Sequence, residues 1–158
     1  MLEGSDTHGR RHAVVHCASL ADWQPTAEDF PGGYALLVAI DAAQWSIDDG
    51  LAFARRCIET GCASVSIWGT ECEVLHDLFD EEDACSALYD QTAAVLMTAW
   101  HADDLLESAI DFFIEHDIVA DDWPSRPKLC VGLAIGASHL ASRIEDLLRL
   151  RLAHRQPQ

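Results

Sequence analysis

Cys72, His101 and Asp41 are the side chains here whose types suit covalent or acid–base chemistry. Cys72 follows the run Ser64-Val-Ser-Ile-Trp-Gly69 and opens a helical pattern. A helix N-terminus lowers a thiol pKa, although Glu71 and Glu73 on either side oppose that shift. His101 is the natural base, and Asp41 or Asp103 can orient it, because an activated nucleophile needs a base held in turn by a third group. No G-x-S-x-G elbow accompanies them. The plainer reading is a core cysteine and a capping histidine. Together they define one candidate function, a small hydrolase or transferase.

Metal and phosphate chemistry are weaker candidates. Cys72 and His76 stand four apart on one helix face, with His101, Asp103 and His139 as further donors. Zinc needs three or four converging ligands, and this spacing matches no zinc motif. No C-x-x-C pair occurs among the six cysteines, so no metal is expected. Neither G-x-G-x-x-G nor G-x-x-x-x-G-K-[ST] is present. Three of the four expected helix starts carry acids, Asp48/Asp49, Glu71/Glu73 and Asp103/Asp104, which repel phosphate. Only Gly136-Ala-Ser-His139 is free of them, and Ser138 there also reads as an ordinary N-cap. No cofactor is expected. Trp45, Trp68 and Trp100 each follow or end an apolar run. Exposed at a sheet end they would form a binding surface; buried, they would cover the ends of helix–sheet layers.

Positioning these residues requires strands that end where helices begin. Tyr34–Ile40 is apolar almost throughout, as in a strand covered on both faces. Residues 63–68 alternate, and Thr70 and Glu73 have capping-box spacing before a helix from Glu71 to about Phe79. Asp80–Asp83 is read as an interruption, with another helical turn or two over 84–89. Strands are also expected over 93–99 and 129–135, with an extra one over 13–17. Helices are expected over 47–60 and 103–116 and after Ser138. The inward faces are Ile47, Leu51, Ala54 and Ile58 in the first; Leu105, Leu106, Ala109, Ile110 and Phe113 in the second; and Leu140, Ile144, Leu147 and Leu148 in the last. Residues 22–33, rich in Pro and Gly, read as a loop.

Strands alternating with helices define an α/β fold, a three-layer α/β/α sandwich on a mainly parallel sheet of four to five strands. Numbering the four clear strands in chain order, the expected order is 2-1-3-4, with a crevice between the first and third. Asp41, Trp45, Trp100, His101 and Asp103 would line that crevice. Residues 13–152 form one domain, and 1–12 and 153–158 are read as flexible tails.

The net charge of −17 is localised. Residues 41–122 hold 20 acids against Arg55 and Arg56, and the rest of the chain holds 7 acids against 8 bases. Such a field repels nucleic acid and anionic membranes and favours a basic protein partner. The blander alternative is that it serves solubility. No apolar run reaches the ~18 residues of a membrane span, and none has signal-peptide form. A cytoplasmic protein with six reduced thiols is expected.

The segments Trp68-Gly-Thr-Glu-Cys-Glu73 and Trp100-His-Ala-Asp-Asp104 resemble a family of small uncharacterised bacterial proteins. The resemblance spans about residues 34–116 and implies no activity. The leading expectation is therefore an acidic binding protein of regulatory or immunity type, with the enzyme as the alternative. The oligomeric state is left open.

Overall fold

The computed structural model describes residues 5–6, 8–41, 44–89, 94–116 and 119–153. The chain runs β1 (Arg11–Cys17), a 3-10 turn (Leu20–Asp22), β2 (Tyr34–Asp41), α1 (Ile47–Glu59), β3 (Cys62–Gly69), α2 (Cys72–Tyr89), β4 (Met97–His101), α3 (Leu106–Glu115), β5 (Leu129–Gly136) and α4 (Ser138–Ala153). All five strands are parallel, in the order β1-β5-β2-β3-β4.

The side-chain period of two divides β2 between two cores. Tyr34, Leu36, Val38 and Ile40 meet α1 and α2 on one face. Ala35, Leu37 and Ala39 meet α3 and α4 on the other. The sandwich is thus three-layered. Its strand order departs from 2-1-3-4: β4 pairs with β3 rather than β2, and β5 lies beside β2 rather than at an edge. The α2 crossover carries the chain onward past β3. The α3 crossover then returns on the opposite face and inserts β5 between β2 and β1.

α1 starts where Ser46 Oγ accepts from the Asp49 N–H and Asp49 Oδ2 accepts from the Ser46 N–H, a reciprocal cap. The box expected at Thr70 and Glu73 does not form in that register. Glu71, with φ 56°, makes the final turn, and its carbonyl accepts the first helical bond, from Leu75 N–H. α2 then continues through Asp80–Asp83, because Phe79 and Glu82 are buried there and Arg55 grips Glu82 at 2.8 and 3.1 Å.

The buried face of α1 is Gly50, Phe53, Ala54 and Cys57, turned from the expected one, so Ile47 is exposed. Val74 and Leu105 are exposed as well, and Ile114 and Leu152 join the core. β4 starts at Met97, later than expected; Ala93 lies outside the described residues.

The tail expected over 1–12 is anchored at residues 6 and 10–12. Asp6, Arg10 and His12 are buried, and Arg10 donates to the carbonyls of Phe113 and Ile114 at the end of α3. Of the C-terminal tail, Ala153 ends α4 and residues 154–158 lie outside the described residues. No described helix is long and apolar enough to cross a membrane.

Candidate functional site

Because the strands are parallel, Asp41, Trp68, Trp100 and His101 do share one end of the sheet. They do not share one site. β3 separates β2 from β4, so Asp41 and His101 stand two strand spacings apart, roughly 10 Å along the sheet. The switch of helix faces falls between β2 and β5, where Asp41 aligns with Gly136. There Asp41 Oδ2 lies 3.6 Å from the exposed His139 Nε2, and the His16 ring reaches the Gly136 carbonyl at 2.8 Å. Ser138 is the first residue of α4 rather than its cap. The crevice expected between the first and third strands therefore has no counterpart.

His101 is buried and takes a different acid. Its Nδ1 bonds Asp104 Oδ2 at 2.8 Å, and its ring meets Phe112 edge-on at 5.0 Å. Nε2 is buried without a partner among the described residues. A carboxylate only accepts, so the bond to Asp104 is donated by Nδ1–H. Cys72 opens α2 and is 2% exposed. Its sulfur accepts from the main-chain N–H of His101. Burial raises the Cys72 thiol above its ordinary value, and the nearby N–H groups only partly offset this. A raised thiol is a poor nucleophile at neutral pH.

Trp68 Nε1 donates to the Asp104 carbonyl at 2.8 Å, tying β3 to the loop that carries Asp103 and Asp104. Asp103 itself is exposed. Trp45 stands before the Ser46 cap, half-buried, with its ring across Gly50. These two indoles cover layer ends.

Trp100 differs. It is 48% exposed on the edge strand β4, with its ring 4.4 Å from that of His76 on α2. His76 is buried, bonded to Thr98 Oγ1 at 3.0 Å and to Asp77 at 3.1 Å. Beside it α2 exposes Glu73, Asp77, Asp80 and Glu81, and the helix contains no Lys or Arg. Glu82 and Asp83 turn inward, to Arg55 and to the Leu96 N–H.

Two features escaped the sequence reading. One is the buried group of Asp6, His12 and Cys130, whose donor atoms lie within 4.8 Å of one another. The cation there is Arg10, whose Nε is 2.7 Å from Asp6 Oδ2, so a metal ion would meet a resident positive charge. Its only sequence signal was the alternating Asp6…Arg10…His12 polarity before an apolar run. The other is a groove of about 560 Å³ beside β1, lined in part by Trp23 and Phe30. The free cysteines include five buried ones and the exposed Cys85.

The fold defines an all-parallel, three-layer α/β protein that presents an acidic helix and an exposed indole at one edge. Residues 13–150 match the family described as a domain of unknown function (DUF7684), and the chain belongs to that family. No curated protein matches the chain.

Proposed function

We propose that this is a small acidic binding protein, of regulatory or immunity type, whose partner is a basic protein docking on α2 and the β4 edge. The observation that carries this reading is Trp100, exposed beside the acid stripe Glu73, Asp77, Asp80 and Glu81. An indole is a frequent binding hot spot, and it keeps its apolar area at low entropic cost. The surrounding carboxylates select a cationic surface and speed its approach. Among the described residues β4 also leaves one side of its ladder open. The alternative, a hydrolase or transferase using His101, Asp41 and Cys72, requires the three to converge; the separation of Asp41 and the protonated, buried Cys72 weigh against it.

Affinity capture with the wild-type chain and with Glu73→Lys/Glu81→Lys and Trp100→Ser variants tests the reading. Both glutamates are exposed, so the variants keep the fold. Basic proteins held by the wild type should be lost from both variants. Retention of the same proteins by all three overturns it.

A further inference from the structure

We propose that the groove beside β1 is a second binding site, which takes an extended basic peptide segment of a partner protein. It lies on the α1 side of the sheet, at the edge opposite Trp100, and stands whether or not the α2 face binds. Val15 and Val131 form its floor, Trp23 and Phe30 its wall, and Asp22 and Asp29 belong to its lining. A volume of about 560 Å³ accommodates a few side chains.

Two features select the occupant. The first is charge. Asp22 Oδ2 accepts from the N–H and hydroxyl of Ser19, and Asp29 Oδ2 accepts from those of Thr26. These bonds fix both carboxylates and leave each Oδ1 as a further acceptor for a cation. The Thr26 N–H also holds the Asp29 carboxyl below its ordinary range, so it is ionised at neutral pH.

The second is the open edge. Among the described residues β1 pairs with β5 alone, and the Arg11 N–H points to it, donating to Lys128 O. In a parallel ladder the next residues alternate, so Val14 and His16 turn their N–H and C=O groups outward. His12 is closed off, fully buried above Asp6. The stretch Val14–His16 is thus open beside the groove. A peptide strand would pair with it while alternate side chains enter the groove. Unpaired main-chain groups favour a peptide over a small amine. A second copy pairing through the same edge would bring its own Asp22 and Asp29 rather than the cation that these carboxylates select.

The test is an NMR titration of the full labelled chain with a blocked heptapeptide alternating Lys and Val, at ~150 mM salt. Saturable shifts are expected at the Val14 and His16 amides and the Trp23 indole. Affinity should fall about tenfold in Asp22→Asn/Asp29→Asn, where Asn keeps the cap acceptor. Val14→Pro removes an outward N–H but no β1–β5 bond, and should weaken binding similarly. Equal binding of a Glu–Val peptide, or no shift at all, overturns the proposal. Shifts confined to α2 and β4 also overturn it while supporting the α2 reading.

Discussion

Asp6 sits under the end of α3 with both carboxylate oxygens in use. Oδ1 accepts from the main-chain N–H groups of His8 and Arg10, and Oδ2 from Arg10 Nε and the His12 ring. Arg10 in turn holds the carbonyls of Phe113 and Ile114, orphan acceptors of a helix end. Burial alone would raise the Asp6 pKa. The bonds from His12 and Arg10, with the Arg10 charge, outweigh burial and hold the carboxyl well below the usual range. A carboxylate depressed in this way lends stability that is fully present above its unfolded pKa, near 4, and is lost as pH falls through the folded value. Asp6→Asn should therefore cost ~3–5 kcal/mol at neutral pH, because Arg10 is left buried without its carboxylate. The variant's urea midpoint should also vary less with pH below about 4 than the wild type's. A loss below about 1 kcal/mol, or an unchanged acid slope, would contradict the clasp. Little of this was legible from sequence. Asp6 and Arg10 precede the first apolar run, and the α3 carbonyls that they serve are more than 100 residues away. His101 is legible as a strand-end histidine, but its acid is not: spacing points to Asp41 or Asp103, and the structure pairs it with Asp104.

The turn from β3 into α2 shows what is legible at the scale of an element and what is not. Gly69 as a strand breaker could be read directly. The reason it must be glycine could not. Its φ is 102°, and a Cβ there would lie 2.1 Å from the Ile40 carbonyl oxygen, which also accepts from the Thr70 N–H. A side chain would push β2 and β3 apart at the end of their ladder. Gly69→Ala should cost ~3 kcal/mol or more, since strained φ and a backbone clash add. Glu71, the only non-glycine with positive φ among the described residues, gives the converse. Glu71→Gly should gain up to about 1 kcal/mol by relieving the left-handed residue. Paired thermal unfolding of the two variants checks both signs; a neutral Gly69→Ala would mean that the turn relaxes freely. The register of the cap failed for the same local reason: T-x-x-E spacing cannot reveal that the chain spends one more residue turning. Helix faces were legible to within about one position, because the apolar stripe of α1 is wide and the neighbour it meets decides which part is buried.

Strand order is a property of the whole molecule, and there the sequence carried a signal that period counting ignores. β5 is apolar and buried almost throughout, whereas Met97-Thr-Ala-Trp-His101 is short and mostly half-exposed. The first belongs inside a sheet, between two strands, and the second at an edge, as found. Charge is a property of the same scale, and it leads to a prediction about nucleic acid. Non-specific affinity comes from Lys and Arg that neutralise phosphates and release counterions. The chain has ten such residues, and three of them, Arg143, Arg149 and Arg151, stand on α4. On that helix the cations are already matched to the protein's own acids. Arg143 bonds Glu107 at 2.8 Å, Arg151 bonds Asp111 at 2.6 Å, and Arg149 bonds Glu145. A phosphate would have to displace a carboxylate at each, so few counterions would be released on binding. Arg155, further along the sequence, lies outside the described residues. The chain should bind neither DNA nor RNA measurably at ~150 mM salt, and lowering the salt should recover little, because the net field of the molecule repels the polyanion. Fluorescence anisotropy with labelled single- and double-stranded oligonucleotides reads this directly. Binding at low micromolar or tighter would show that α4 releases its cations, and would contradict the argument that the net negative field of the molecule selects against polyanions.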